Sequence, residues 1–397
     1  IHDAALKVLA KAEDRGVRFI PEALEAVRPQ VQAKYVEARA TLECMGFDGN
    51  LGSPKQIGDW LLSRRIKLPE TLKSKKARQL DPTKEPRFST NKLVLEKLAW
   101  NGQEEAVWIL EARKRLKLQQ AFLDSLPDKV FKGMVYPSIN MARTKTGRLS
   151  YSGVNLQQIP KHDPIGVGLR ACFTGPRGFV SVADYSQVEM RVAAALSGDP
   201  VLLQIFDSGE DLHTQVASAV LGISPKNLTS EERFGAKAIN FGILNGMGPK
   251  RLSHNLRSDY DTAARWLNDY RERFSVLANW MDTTWAEAEA YRTVRTLSGR
   301  TRIFRRGEEV RSAVSVKVQG TAADLLYGAM VAVDEAGLPV LFSVHDEIVA
   351  DTRDVNMLVE VMQDAANSLF PEDLGCVSFE ADGYFNDTWK EPKDAAA

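Results

Sequence analysis

The sequence predicts an α+β fold divided among two or three structural units. Three observations carry this. At 397 residues the chain exceeds the ~100–200 residues of a single domain. Apolar residues recur at helical spacing through two long stretches, about residues 1–135 and 206–319. Short β-rich runs stand apart from these, at 179–183, 340–344 and 348–350. The 44% apolar and 26% charged content is that of an ordinary globular protein and excludes wholesale disorder.

In the first helical stretch Ala5, Val8, Leu9 and Ala12 share one face, as do Leu24, Val27, Val31 and Tyr35. Ser53-Pro54 reads as an N-cap followed by proline at the first helical position, opening a helix through Trp60 and Leu62. From Lys73 to Arg87 the composition is polar with two prolines, which predicts a mobile loop. Helices are expected after Ser89-Thr90 and from about Glu104 to Leu123. The pattern changes near Val135. The β-run Phe179–Ala183 ends at Asp184 and leads into a helical stretch that stops at Gly198. Thr229-x-x-Glu232 forms a capping box for a helix carrying Arg233 onwards. Gly320-Thr321 is read as the start of a helix to about Glu335, and the last two β-runs flank His345-Asp346-Glu347. No internal repeat is present, and only the Ala-rich end is low in complexity.

The chain carries 52 Lys+Arg and 52 Asp+Glu, a formal net charge of zero that read alone argues against a nucleic-acid partner. The distribution says otherwise. Between Lys55 and Lys97 stand twelve basic residues against five acidic ones, and between Asp346 and Asp387 eleven acidic residues face only Arg353. This asymmetry marks an anion-binding surface in one place and a cation site in another, although either run alone is as readily a solvated helix face. Cys44, Cys172 and Cys376 are odd in number and lack CxxC spacing, which excludes a disulfide framework and a structural zinc site and suits a reducing compartment. The most apolar helix segment, Leu325–Val333, is bounded by Asp324 and Asp334, so no membrane span is expected. The start, Ile1-His2-Asp3, lacks the features of a signal peptide and an initiator Met, which fits a fragment of a longer protein.

Four constellations carry chemistry. Asp184-Tyr185-Ser186-Gln187-Val188-Glu189-Met190-Arg191 puts a carboxylate at the end of a buried strand, and Val344-His345-Asp346-Glu347-Ile348 puts carboxylates at a bend between two β-runs. Aspartates ending neighbouring strands form a site for hard divalent cations, which take one or two protein carboxylates together with phosphate and water oxygens. Arg233, Lys237, Phe241 and Asn245 recur every four residues and form one slowly turning helical stripe, with Gly242 and Gly246 beside it. Two cations followed by an aromatic suit a nucleoside triphosphate; an amphipathic surface helix has the same pattern. Thr146-Gly147-Arg148-Leu149-Ser150 and Asn155-Leu156-Gln157-Gln158-Ile159-Pro160 form a polar, turn-rich loop able to present an Arg and amides to nucleic acid.

In order and spelling these segments resemble the polymerase region of the family A DNA polymerases, the bacterial DNA polymerase I family. The first resembles that family's motif A, Arg233-x-x-x-Lys237-x-x-x-Phe241-Gly242 with Gly246 its motif B, and His345-Asp346-Glu347 its motif C. Thr146–Ser150 and Gln319-Gly320-Thr321-Ala322-Ala323-Asp324 are similar to two further signatures, and Ser53-Pro54-Lys55-Gln56 resembles the thumb. The likeness covers essentially the whole chain.

The resemblance implies a right-hand fold: thumb at 10–135, palm with an antiparallel sheet at 136–205 and 320–397, and helical fingers at 206–319. It implies template-directed extension of a primer 3′-hydroxyl by deoxynucleoside triphosphates, with two Mg²⁺ ions (Mn²⁺ as a substitute) held by Asp184, Asp346 and the Tyr185 carbonyl. Glu347 becomes an accessory carboxylate and Lys237 the proton donor to pyrophosphate. Arg233, Lys237 and His213 hold the triphosphate, His213 on the strength of its Asp211-Leu212-His213-Thr214 context, and Gln187 joins the nucleotide site. Glu189 resembles the sugar gate against a 2′-hydroxyl, and Phe241 goes with discrimination against dideoxynucleotides. Arg148 and Gln319 are expected at the minor-groove edge, with Asn155, Gln157, Arg311, His345 and Asn245 along template and primer.

Three departures stand out. Asn245 replaces a family Tyr, predicting altered template positioning or fidelity, and Ser315 and Lys317 stand where Asn and Pro are usual. The first 135 residues contain no Asp-x-Glu, so no proofreading exonuclease is expected in this chain. A monomer in the cytoplasm of a bacterial or phage-infected cell, or in an organelle, is the expected setting, with no membrane partner. A single-subunit RNA polymerase shares the hand, but Glu189 and Phe241 argue against it. A non-catalytic DNA-binding replication factor is disfavoured by the intact Asp184, Asp346, Arg233 and Lys237.

Overall fold

The computed structural model describes all residues except Pro82, His162, 230–238, Phe241, Arg257, 370–376 and 393–397, and the side chain of Ala219. In chain order the helices are α1 (His2–Arg15), α2 (Pro21–Cys44), α3 (Pro54–Ser63), α4 (Leu72–Leu80), α5 (Lys92–Trp100), α6 (Glu104–Leu118) and α7 (Pro164–Arg170). They continue with α8 (Val188–Ser197), α9 (Pro200–Asp207), α10 (Leu212–Leu221), α11 (Pro249–Asn255), α12 (Tyr260–Arg273), α13 (Ser275–Tyr291), α14 (Ala313–Glu335) and α15 (Val355–Leu369). The strands are β1 (Val17–Phe19), β2 (Met134–Val135), β3 (Ser138–Asn140), β4 (Ser150–Ser152), β5 (Phe173–Thr174) and β6 (Val180–Tyr185). After these come β7 (Thr293–Arg295), β8 (Thr301–Ile303), β9 (Val340–Val344), β10 (Glu347–Ala350) and β11 (Ala381–Asn386). The chain forms two compact units, one of residues 21–129 with 163–169, the other of the remainder.

The smaller unit is helical. Ala38 and Leu42 of α2, Ile57 and Leu61 of α3, Leu95 of α5 and Ala106, Ile109 and Ala112 of α6 bury one common core. Ser53 caps α3 by accepting from the Gln56 N–H, with Pro54 at the first helical position as its sequence predicts. The predicted helix from Glu104 holds to Leu118 and then widens into a π-helical turn at Gln119–Asp124.

The expected mobile loop at 73–87 is instead opened by a helix. Thr71 caps α4 at Ser74, and the Lys, Ala, Arg, Gln and Leu of this segment favour helix, while both prolines come only after Leu80. Ser74, buried, donates to Glu70 (2.6 Å) and accepts from the Arg87 N–H (2.9 Å), so the segment closes on itself. The lysines of α4, Lys73, Lys75 and Lys76, are exposed.

In the larger unit a four-stranded antiparallel sheet runs in the order β11-β6-β10-β9. Residues 180–183 of β6 and all of β9 and β10 are buried. α15 packs on β6 and β11, and α1 packs on β9 and α14. The helix expected from Gly320 begins seven residues earlier, at Ala313. Gly320 is a packing point and not a start. A Cβ there would come within 2.5 Å of Thr296 Cγ2 and 3.2 Å of the Thr146 carbonyl, so the missing side chain lets α14 approach the 144–147 loop. Arg300 bridges the same contact, donating to the carbonyls of Thr146 (3.0 Å) and Gly320 (2.8 Å) and to the buried Asp324 (2.9 Å). The stretch 206–319 is largely helical, interrupted by the hairpin of β7 and β8. Cys44 and Cys172 are free thiols.

Asp163 organises the return of the chain to the helical unit. Its carboxylate accepts from the backbone N–H of Ile165 (3.0 Å) and Gly166 (3.3 Å) at the start of α7, and pairs with Lys114 and Arg115 of α6. Burial pushes this carboxyl up, but the hydrogen bonds from Lys114 and Arg115 outweigh it and hold it down at about 2. A carboxyl depressed on folding stabilises fully above its unfolded value and loses that contribution as pH falls through its folded value. Asp163→Asn is therefore expected to cost about 2 kcal/mol at neutral pH and to flatten the acid limb of stability between about pH 4 and 2. Thermal denaturation across pH measures both; a wild-type and variant difference that does not shrink with acid contradicts this account.

Candidate active site

β6 and β10 pair so that Asp184 lies opposite Glu347, with Ala183 opposite Ile348 and Val182 opposite Val349. β9 and β10 are joined by the two residues His345 and Asp346, since Val344 pairs with Glu347. This tight connection puts the Asp346 carbonyl within 3.3 Å of the Tyr185 N–H, so the ends of both aspartate-bearing segments meet. On the other side of β6, Asp382 pairs with Asp184. Cross-strand partners share a face, so Asp382, Asp184 and Glu347 form a row of carboxylates across three strands, an arrangement that is repulsive unless cations intervene. His345 (φ 57°) and Gln187 (φ 53°) are both left-handed non-glycine residues, one on each side of the carboxylates. Such backbone concentrates where function constrains geometry.

Cations do intervene. Lys161 Nζ lies 2.8 Å from Asp184 Oδ2 and 3.6 Å from Glu347 Oε2. Burial works against the Lys161 charge, but Asp184 and Glu347 outweigh it and raise its ammonium above the ordinary lysine value. Arg148 reaches Glu189 Oε1 (2.5 Å) and Asp346 Oδ1 (3.6 Å). Arg170 stands 3.4 Å from Glu347 and stacks over the Trp389 ring at 4.0 Å, while Trp389 Nε1 donates to Glu347 Oε1 (2.6 Å). Burial pushes Asp346 up to about 6; Arg148 opposes this and the charges of Glu189 and Asp184 add to it. Burial also raises Glu347, against Arg170 and Lys161. Burial, and then the charge of Arg148, lower His345 below the ordinary histidine value.

The expected site residues separate into groups. Asp184, Tyr185, Asp346, Glu347, Glu189, Arg148 and Gln319 are linked by direct contacts, Gln319 through its amide on Glu189 (3.4 Å), and His345 adjoins them as the residue before Asp346. The Tyr185 hydroxyl donates to the Met362 carbonyl (2.6 Å), which anchors the strand end in the core. Gln187 carries a buried Oε1 with no hydrogen-bond partner among the described residues. Asn155 accepts from the Gln157 N–H and Gln157 donates to the Leu149 carbonyl (3.3 Å), so both brace the loop bearing Arg148. That loop, with His345, Asp346, Ala323, Leu326 and Tyr327, lines a cavity of about 220 Å³. His213 is buried on α10 and contacts the Asn240 amide (3.0 Å). Asn245 is exposed, next to Gly246, where an added Cβ would lie 3.1 Å from the Arg311 carbonyl. Arg233, Lys237 and Phe241, and Glu232 of the capping box, lie outside the described residues.

Sequence reading missed Lys161, Arg170, Trp389 and Asp382. Lys161 directly follows the Asn155–Pro160 loop, so its position was visible; its target was not. Asp382 belongs to the acidic run from Asp346 to Asp387, but nothing in that run singled it out, and Arg170 and Trp389 come from segments with no chemical signature.

As a cation site the carboxylates fit a small hard ion. Among the described residues no three or more His, Cys, Asp or Glu side chains form a ligand cluster. Two aspartates at adjoining strand ends suit Mg²⁺, which takes one or two protein carboxylates, seldom occupies an all-protein cage and keeps places for phosphate oxygens. The upward displacement of Asp346 and the orphaned Gln187 Oε1 agree with a site built to receive charge and polar groups from outside.

A model of DNA polymerase family A matches residues 21–391, and the chain belongs to that family. Among its relatives, the thermostable DNA polymerase I of Thermus aquaticus is 36% identical over 361 residues, covering 87% of this chain and 42% of the relative. DNA polymerase I of Pseudomonas aeruginosa is 34% identical, covering 87% of this chain and 39% of that protein. The chain thus spans less than half the length of these curated relatives. A solved structure described as the POL domain of Pol1 from M. smegmatis in complex with DNA primer-template and dNTP is similar with a TM-score of 0.86 and 26% identity, over 98% of this chain and 70% of that one. The α+β fold is accordingly that of a family A polymerase domain. Among the described residues no helix is long and apolar enough to cross a membrane.

The Glu347–Arg170–Trp389 cluster generates a stability prediction. Arg170 is 4% and Glu347 3% exposed, so removing the guanidinium strands a buried carboxylate. Arg170→Ala is expected to cost about 3 kcal/mol, and adding Glu347→Gln to recover part of it. Chemical denaturation measures both; an unchanged midpoint for the single variant contradicts the assigned role.

Proposed function

We propose that this chain is a template-directed DNA polymerase that extends a primer 3′-hydroxyl with deoxynucleoside triphosphates by two-metal phosphoryl transfer and releases pyrophosphate. The observation that carries the reading is the meeting of Asp184 and Asp346 at the ends of adjacent strands in a chain of this family. The helical unit would serve as the thumb, with the exposed lysines of α4 near duplex phosphates, contacts that position DNA without reading sequence. The sheet of β6, β9, β10 and β11 would be the palm and residues 206–319 the fingers. Primer-template DNA and deoxynucleoside triphosphates are the proposed partners, with the chain acting as a monomer in the cytoplasm. No proofreading is assigned to it, because the first 135 residues contain no Asp-x-Glu.

Asp184 and Asp346 would hold two Mg²⁺ ions, or Mn²⁺ in their place, together with the Tyr185 carbonyl. Such ions, when bound, lower the pKa of the primer 3′-hydroxyl and neutralise charge on the departing pyrophosphate. The protein's own part is positioning and electrostatics. Arg233 and Lys237 would bind the triphosphate with His213, and Lys237 would donate the proton that pyrophosphate needs. Glu189, pinned by Arg148 and Gln319, would occupy the space a ribose 2′-hydroxyl requires. Phe241 and Gln187 would flank the nucleotide. Arg148 and Gln319 would meet the minor-groove edge, where acceptors are alike for all pairs, so pair geometry is sensed. Asn155 and Gln157 would act by holding the Arg148 loop, and Arg311, His345 and Asn245 would contact template and primer. Arg170 and Trp389 would fix Glu347 as a positioning carboxylate beside the metals.

Primer extension with Mg²⁺ tests the reading. Asp184→Asn is expected to lower extension at least about a hundredfold while leaving duplex binding intact. Extension undiminished in the variant, or a wild type inactive with Mg²⁺ and Mn²⁺ alike, would reject it.

A further inference from the structure

Lys161 sits where a cation is needed. The row Asp382, Asp184 and Glu347 concentrates negative charge on one face of the sheet end. Of the cations nearby, Arg170 is buried and committed to Glu347 and Trp389, and Arg148 is committed to Glu189. Lys161 alone among these reaches Asp184, at 2.8 Å, and it touches Glu347 at 3.6 Å. Its side chain is 34% exposed and Asp184 is 39% exposed, so the pair faces solvent. Lys161 lies on a bend after Pro160, with Ile159 buried immediately before it. The backbone is thereby anchored, while the four-carbon stem retains the freedom to swing.

We propose that Lys161 is a tethered counter-ion that occupies Asp184 before a divalent cation does, and so sets the cation concentration the site requires. The inference rests on the reading of Asp184 as a metal ligand. An ammonium donating to Oδ2 offsets one charge of the carboxylate row and holds the Asp184 side chain in place. A divalent ion arriving at Asp184 is repelled by the ammonium already held on Oδ2, so binding favours displacement of Lys161, with Glu347 as its nearest alternative partner. Carrying twice the charge, the ion wins at sufficient concentration, and the strength of the Lys161 pair moves the half-saturation point upward. Lys161 is in this sense a specificity-determining residue for metal loading and takes no part in the chemical step.

Mn²⁺ binding to the 397-residue chain without DNA, followed by the paramagnetic signal of free Mn²⁺, tests this directly. Lys161→Met is expected to tighten binding about two- to fivefold, the change that loss of one partly exposed ion pair produces. Lys161→Ala, which removes reach as well as charge, is expected to do the same, and Lys161→Arg to remain near wild type. With Mg²⁺ the melting temperature of Lys161→Met should rise more than that of the wild type, from a lower starting point without metal. Unchanged or weaker Mn²⁺ binding in both Lys161→Met and Lys161→Ala overturns the inference. Asp184→Asn separates the two levels of the argument: if it abolishes binding while the Lys161 variants leave it unchanged, only the counter-ion role fails. If Asp184→Asn itself binds Mn²⁺ like the wild type, the metal-ligand reading fails with it.

Discussion

The antiparallel register of β6 on β10 is the constraint on which the rest of the site depends. Val182 and Ala183 face Val349 and Ile348 across the pair, all fully or almost fully buried, so the hydrophobic effect specifies the alignment. A one-residue slip exchanges the faces of a strand. Here it would turn the Asp184 carboxylate into the core and separate it from Asp346. The Tyr185 hydroxyl on the Met362 carbonyl and the Trp389 indole on Glu347 pin the same strand ends by hydrogen bonds. Stability and function thus draw on one set of contacts: apolar strands hold the polar ends where charge can be gathered.

The charge pattern has the same logic at smaller scale. A formal net charge of zero hides a basic run in the helical unit and an acidic run that begins at Asp346. At the sheet end three cations offset part of the carboxylate charge: Lys161 at Asp184, Arg170 at Glu347, and Arg148 at Glu189 and Asp346. These pairs differ in how readily they part. Arg170 is buried and stacked, and separating it from Glu347 leaves a charge without water. Lys161 is partly solvated, and withdrawing it costs far less. The difference sorts the cations into fixed and replaceable ones.

Much of this was legible in the sequence because strong local signals coincide with the elements they predict. Ser53-Pro54 caps α3, the β-runs at 179–183 and 340–350 are strands, and Asp184 and Asp346 stand at their ends. The errors have physical sources. Polar composition with prolines reads as loop, yet Thr71 nucleates α4 and the prolines lie beyond its end. Gly320 reads as a helix start because glycine breaks periodicity, whereas here it marks a close approach that no local pattern encodes. Glu347, read as part of a bend, is the first residue of β10. The partners Lys161, Arg170, Trp389 and Asp382 were not legible as such, since each is defined by tertiary pairing with a residue 23 to 198 positions away.

The central claim is that Asp184 and Asp346 together receive the catalytic cations. Anomalous diffraction from crystals of the protein grown with Mn²⁺, a primer-template duplex and a non-hydrolysable deoxynucleotide tests it most directly. The account predicts anomalous peaks within about 2.5 Å of carboxylate oxygens of both aspartates, with triphosphate oxygens completing the coordination. Mn²⁺ bound elsewhere with triphosphate in place, or touching only one of the two aspartates, would contradict it.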